Sequence, residues 1–466
     1  MNATANDKAR VVTRTRYKPY PAYKNSGVEW LGEIPEHWEV KRLKTFTSVQ
    51  LSNVDKKSVE GQELVWLCNY TDVYYNERIT PNLEFMRATA TIEQARRFSL
   101  RAGDVLITKD SESWTDIAVA AVVTQDLPGV LCGYHLAHIR PIGNETGRFL
   151  SRAFSAVGPR DQFQIAANGI TRFGLGGDAI ATGLFAVPSE SEQRAIAAFL
   201  DRETAKIDAL VAKQERLIKL LQEKRGALIT RAVTKGLPST GSGQANPTAP
   251  MKDSGVEWLS EIPAHWEVKR LRHLGEAIIG LTYGPDDVVN EDEGTLVLRA
   301  SNVNNGRIVY RDNVFVSAAI PGHLRTRLGD ILICARSGSR DLIGKNATVD
   351  ERATGLTFGA FMIVFRSPRN SFLFYVFNSA LFEYQSGSFL TSTINQLTLG
   401  NLKNMTVPVA PAQEQRTIAD FLGWETAKID ALIAKVRDAI EQLKEYRTAL
   451  ISAAVTGKID VREEAA

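Results

Sequence analysis

Ser26–Leu43 reads SGVEWLGEIPEHWEVKRL, and Ser254–Leu271 reads SGVEWLSEIPAHWEVKRL. The two agree at 16 of 18 positions, at an offset of 228 residues. A second pair, Glu192–Lys213 (EQRAIAAFLDRETAKIDALVAK) and Glu414–Lys435 (EQRTIADFLGWETAKIDALIAK), agrees at 17 of 22 positions, offset by 222. Between these blocks runs a weaker echo, GDVLI at Gly103–Ile107 against GDILI at Gly329–Ile333. A repeat of this length decides the architecture before any single residue does. The chain is one layout used twice, with matched ends and middles that share little sequence.

The second block opens a helix in each half. Ser189 or Ser191 can cap it, and Glu190 and Glu192 suit the positive end of its dipole. The positions Ile196, Leu200, Glu203, Ile207, Leu210, Gln214, Leu217, Leu221, Lys224 and Leu228 step alternately by four and three. That is a coiled-coil seam. Ile418, Leu422, Glu425, Ile429, Leu432, Val436, Ala439, Leu443, Tyr446 and Leu450 repeat it. Gly236 and Gly457 stand where each helix should stop. About 40 residues of helix span on the order of 60 Å. Two matched helices in one chain pair at high effective concentration, and the blocks between them favour antiparallel pairing. An intermolecular coil is the competing reading.

The middles read as mixed α/β, with short strands at Leu64–Leu67, Asp104–Ile107, Ala118–Val123, Leu296–Arg299, Ile331–Cys334 and Phe361–Phe365. Trp30, Trp38, Trp258 and Trp266 in the repeated lead blocks read as core staples tying each middle to the coil. The fold class expected is therefore α+β. Two mixed α/β domains are separated by two long antiparallel helices, in a pseudo-two-fold tandem repeat. The divisions expected are an N-terminal tail (1–24), a first domain (25–188), a first spacer helix (189–236) and a Gly/Ser/Thr/Pro linker (237–252). A second domain (253–408), a second spacer helix (409–458) and a C-terminal tail (459–466) follow. Residues before about Tyr23 read as frayed.

A length of 466 residues suggests roughly three domains, which the repeat resolves into two domains and a shared coil. Lys and Arg number 56 against 53 Asp and Glu, a net charge of +3, so no indiscriminate basic coat exists. Residues 40–188 hold 16 basic and 15 acidic side chains, so any phosphate-binding surface must be a local patch. Cys68, Cys132 and Cys334 are scattered, which suits a reducing, cytoplasmic home. No apolar run approaches the ~18 residues of a membrane span, and no secretory leader is evident.

The chemistry of catalysis is missing. Six histidines and three cysteines offer no metal-ligand spacing, and no Walker-type phosphate loop appears. Phe173–Gly177 is glycine-rich but reads as a turn. Glu39-Val40-Lys41 and Glu267-Val268-Lys269 have the Glu-x-Lys form of a nuclease metal site, but no shared upstream Asp completes it. His37 and His265 read as packed or surface residues. Neither a cofactor nor a metal is expected for this chain.

Unlike domains on a rigid spacer suit a protein that reads two short signals at a fixed separation. Base edges are read by Arg, Lys, Asn, Gln, Ser and Thr, and strand ends supply candidates. Lys109 and Ser111 follow the first Gly-Asp strand; Arg336, Ser337 and Arg340 follow the second. Thr171 and Arg172 lie just before the return to the coil in the first half, and Asn395 and Gln396 in the second.

These blocks together resemble the specificity subunit of Type I restriction–modification enzymes. The resemblance rests on the doubled SGVEWLGEIPEHWEVKRL block, the GDVLITKD and GDILICARSG strands and the doubled EQRAIAAFLDRETAKIDALVAK helix, and it runs from about residue 24 to 460. It implies that each middle is a target recognition domain reading one half of a split, asymmetric double-stranded DNA sequence, and that the helices set the gap. It further implies a non-catalytic chain. Two modification subunits that methylate adenine with S-adenosylmethionine would dock on it, and restriction subunits using ATP and magnesium would join them. The competing classes are a coiled-coil adaptor joining proteins without DNA, and an autonomous nuclease that would need Glu39 and Lys41.

Overall fold

The computed structural model describes residues 17–142, 146–237, 250–339, 342–388 and 396–465. Most of the expected linker, Arg340 and Asn395 lie outside these residues. The chain divides into two compact units, 1–215 with 437–466 and 216–436. Each unit therefore contains its own middle, the start of one long helix and the end of the other. Those helices are α1 (Glu190–Lys235) and α2 (Ala412–Val455). Among the described residues no helix is long and apolar enough to cross a membrane.

In the first unit a five-stranded sheet runs β1-β9-β6-β7-β3, formed by Thr47–Leu51 (β1), Arg78–Ile79 (β3), Val105–Thr108 (β6), Ala120–Val123 (β7) and Leu136–Pro141 (β9). A four-stranded sheet, β4-β2-β8-β5, joins Glu63–Cys68 (β2), Met86–Ala90 (β4), Ser99–Leu100 (β5) and Leu127–Cys132 (β8). The apolar run GDVLIT is explained by this layering. Val105 and Ile107 face a core shared with the long helices, whereas Leu106 faces a second core under the smaller sheet. A strand buried on both faces has no polar alternation.

The second unit repeats the plan. Glu276–Ile279 (β10), Ile331–Cys334 (β14), Asn346–Thr348 (β15) and Met362–Arg366 (β17) form a sheet of order β10-β17-β14-β15. Val288–Val289 (β11), Thr295–Leu298 (β12), Phe315–Val316 (β13) and Thr357–Phe358 (β16) form the other, β11-β13-β12-β16. Ile331 and Ile333 face the helix-side core, and Leu332 and Cys334 the second one. β2 runs parallel to β8, and β12 parallel to β16. The middles thus share the four-strand order of the sheet that carries the Gly-Asp strand and the parallel pair of the other sheet, despite their unlike sequences. Each Gly-Asp turn is also held alike: Asp104 accepts from Arg140, and Asp330 from Arg366.

The lead blocks hold the helix ends. Trp38 and Trp266 are fully buried, whereas Trp30 and Trp258 lie partly at the surface. Trp38 packs beside Gly457, just past the end of α2, and Trp266 beside Gly236, just past the end of α1. A Cβ on Gly457 would stand 2.3 Å from Pro35 Cδ, and its φ of 71° also favours glycine. At the helix starts, His37 Nε2 lies 2.9 Å from Glu192 and His265 Nε2 2.8 Å from Glu414. Each lead block therefore grips the start of its own helix and the end of the other.

Antiparallel pairing is visible inside each unit. Arg447 pairs with Asp208 in the first, and Arg225 with Asp430 in the second. Asp208 and Arg225 stand 17 residues apart on α1, as Arg447 and Asp430 do on α2. The expected seam is off by one at every second position. Leu210, Leu217 and Leu432 are exposed, whereas Thr204, Ile207, Thr426, Ile429, Ile433 and Ile440 are buried. Apolar residues stand at both 210 and 211, 217 and 218, and 432 and 433. Periodicity alone could not choose between them. Glu203 and Glu425 accordingly leave the seam, and each pairs with a lysine three residues on.

The expected fraying before Tyr23 is corrected over the described residues from Tyr17 onward. Tyr17 and Tyr20 are buried, Tyr17 packs edge-on against Phe199, and the Tyr20 hydroxyl donates to Glu192 at 2.7 Å. Ile459 and Val461 are fully buried. Apolar contacts outweigh the polar character that made the N-terminal segment read as frayed.

In the first unit the middle is bolted to the helices by charge. Asp201 of α1 accepts from Arg152 at 2.9 Å and from Arg148, and lies 3.0 Å from Arg78. Glu77 accepts from Arg152 and from Arg447 of α2, both at 2.6 Å. Burial pushes both carboxyls up, but the surrounding arginines more than offset it and hold both below their ordinary value. A depressed folded-state value contributes stability above the unfolded carboxylate range, lost as pH falls through the folded value. Asp201→Asn should therefore cost about 3 kcal/mol at pH 7. It should also flatten the acid dependence below about pH 4. Urea denaturation of the full chain from pH 7 to pH 3 checks this, and an unchanged midpoint throughout would show that the network is incidental.

Candidate nucleic-acid interface

The two loops singled out in each middle are brought together, although about 60 residues separate them in sequence. In the first unit Asp110–Ser111 pairs antiparallel with Phe173–Gly174, and Leu175 N donates to Lys109 O at 2.7 Å. In the second, Arg336 bridges to Gln396, and Leu397 N donates to Ala335 O at 2.7 Å. A third segment joins each pair. Lys109 N donates to His135 O at 3.1 Å, and Ala335 N to Phe361 O at 2.9 Å. One main-chain frame therefore presents Asp110 in the first unit where it presents Arg336 in the second, and His135 where it presents Phe361.

Side chains on the first frame gather around one carboxylate. Asp110 Oδ1 accepts from Arg172 Nη2 at 2.8 Å and lies 2.7 Å from His135 Nδ1, while Lys109 Nζ donates to Oδ2 at 3.4 Å. If Nδ1 donates to the carboxylate, the 3.0 Å approach of Arg172 Nη2 to it is a contact and not a bond. Lys109 is half-buried, with its ammonium 4.5 Å from the centre of the Tyr134 ring. Ser111 is buried, and its hydroxyl accepts from Tyr70 at 3.2 Å. Thr171 and Arg172 are exposed beside Ile170, which is 94% exposed. Gly169 makes that loop possible, because a Cβ there would lie 1.9 Å from Arg172 O at a φ of 145°.

In the second frame no carboxylate pairs with Arg336 among the described residues. The Arg336 guanidinium carbon lies over the Phe361 ring, 5.1 Å from its centre, and Phe361 is 58% exposed. Arg336 is exposed, and Ser337 and Gln396 are half-buried. Arg340 and Asn395 lie outside the described residues.

Sequence reading missed the third segment, Tyr134–His135 and Phe361, and a fourth at the end of β2. There Tyr70 stacks on Tyr74, 5.5 Å between ring centres and 15° apart. Gly133 N donates to Cys68 O, as Gly359 N donates to Leu298 O, so the corresponding strand ends meet in both units. An available signal was the glycine shared by Cys132-Gly133 and Phe358-Gly359 at the end of an apolar run. Glu39 and Lys41 are engaged with one another at 2.8 Å on a lead-block strand. Among the described residues no group of His, Cys, Asp or Glu is placed to hold a metal ion.

Known proteins share this plan. The family described as the Type I restriction modification DNA specificity domain matches residues 263–442. The Type I restriction enzyme EcoKI specificity subunit of Escherichia coli K12 is 27% identical over 206 residues, 43% of this chain and 44% of that protein. The chain thus matches less than half the length of that relative. A putative Type I restriction enzyme MjaX specificity subunit from Methanocaldococcus jannaschii is 23% identical over 93% of this chain and 96% of its own length. A chain solved in work on complex assembly and conformational transition of the type I R-M system has the same fold. Its TM-score is 0.63 at 19% identity, covering 91% of this chain and 98% of that one. The doubled lead block, the doubled helix and these likenesses agree: the chain is similar to Type I restriction enzyme specificity subunits, and its residues 263–442 match their DNA specificity domain.

Proposed function

We propose that the chain reads a bipartite, asymmetric DNA target and directs partner methyltransferase and restriction subunits to it. In this reading residues 25–188 and 253–408 are the two recognition domains, and 189–236 and 409–458 the spacer helices. The observation that carries it is the duplicated loop frame. Near-identical lead blocks support one fold twice, and the same frame positions bear Asp110 and His135 in one copy and Arg336 and Phe361 in the other. A constant scaffold with altered contact chemistry is what two unlike half-sites require. The reading places Lys109, Ser111, Thr171, Arg172, Arg336, Ser337, Arg340, Asn395 and Gln396 at or beside the DNA. It gives the chain no catalytic role and no cofactor of its own. Two modification subunits and the restriction subunits supply the chemistry, in the cytoplasm.

Co-expression with the cognate modification subunit in a methylation-free host, followed by genome-wide mapping of N6-methyladenine, tests the proposal. The expected result is a split motif with a fixed gap and unlike halves; no new methylation, or a continuous palindrome, would sink it. A protein-joining adaptor would instead leave duplex DNA unshifted by the purified complex at low salt.

A second expectation follows from the helix ends. The first lead block receives the end of α2, and the second, nearly identical, receives the end of α1. A chain stopped within 237–252 should offer its own α1 end to the lead block of another copy. The result should be a symmetric dimer reading a palindrome of the first half-site. Light scattering and the methylation map check this, and inactive monomers would contradict it.

A further inference from the structure

We propose that Arg172 and Arg336 are the guanine-reading residues of the two recognition domains, held for that task by Asp110 and Phe361. The inference rests on the reading that each unit contacts one half-site.

A guanidinium can give two parallel N–H donors to O6 and N7 of guanine in the major groove, the commonest specific side-chain contact there. It must be exposed, oriented and in possession of free donors. Arg172 meets these conditions: it is exposed, and one Nη2 donor is spent on Asp110. No other hydrogen bond engages its guanidinium among the described residues, apart from the close approach of Nη2 to His135. Lys109 does not meet them, because its ammonium is half-buried between Asp110 and the Tyr134 ring. An acidic side chain on a DNA-facing loop would repel phosphate unless its charge were covered. Here Arg172 and Lys109 cover it, with the His135 ring against the same oxygen. Asp110 is thereby a positioning residue that anchors the Arg172 guanidinium through one Nη2 hydrogen bond.

Arg336 occupies the frame position of Asp110, so the second unit reverses the charge at the same place. Its guanidinium makes no hydrogen bond or ion pair among the described residues and lies over the exposed Phe361 ring. An aromatic face holds a guanidinium in place while leaving its N–H donors available. Phe361 does for Arg336 what Asp110 does for Arg172, by a different force.

The test uses the full chain with its cognate modification subunit and maps methylated motifs for the unaltered complex and for variants. The unaltered motif should contain a G·C pair in each half. Arg172→Ala should relax one G·C position in one half only, and Arg336→Ala one in the other. The loss of base preference at that position should be roughly 5- to 150-fold. Arg172→Lys and Arg336→Lys keep the charge but lose the fork, and should relax the same positions. Asp110→Asn should relax the position that Arg172→Ala relaxes. Phe361→Leu should relax that of Arg336, and Phe361→Tyr should restore it. A simple phosphate contact would lower methylation evenly over all sites and relax no position; that outcome, an unchanged motif, or relaxation at an A·T pair overturns the inference alone. Absence of any bipartite motif from the unaltered complex overturns the DNA reading itself, and this inference with it.

Discussion

The structure depends on the seat that each lead block makes for the end of a helix. Trp38 and Trp266 are fully buried, and each closes against a glycine just past a helix end. A buried tryptophan contributes a large apolar area and tolerates little repositioning. The helix starts are tied to the same blocks through Glu192 and Glu414. A helix of 46 or 44 residues has its direction set by its ends as well as its seam. Near-identity of the lead blocks is the mark of this shared mechanical duty.

The two units secure their middles by different means. In the first, Glu77 and Asp201 hold a group of arginines at the helix surface. In the second, Gly423 stands where the repeat places Asp201 in the first half, and a Cβ there would lie 3.4 Å from the Tyr375 hydroxyl. An ionic junction responds to salt and acid, whereas an aromatic one responds mainly to shape. Between the two long helices, the Arg447–Asp208 and Arg225–Asp430 pairs are matched in the two units.

Much of this was legible in the sequence, and the failures have physical causes. The repeat, both helices and their glycine stops are local or periodic signals, and Gly236 and Gly457 end their helices as read. The seam was misplaced where two neighbouring positions are both apolar, because the choice between Leu210 and Val211 is made by packing. Tyr17 and Tyr20 looked loose because the partners that bury them, such as Phe199 and Glu192, are some 170 or more residues away. The kinship of the middles was hidden because a sheet order can persist while side chains change. At the candidate interface, Lys109 and Arg172 were named, but their meeting at Asp110 and the part of His135 were not. Those contacts are made by strand pairing across distant segments.

The loop frame has a bearing on how such a protein can change. Lys109 and Ala335 are anchored through main-chain N–H and C=O groups, which every residue type but proline provides. The neighbouring position can therefore pass from aspartate to arginine while the hydrogen bonds that fold the loop stay in place. Stability and contact chemistry are drawn from separate atoms there. A lineage can rewrite what the surface touches without crossing an unfolded sequence on the way.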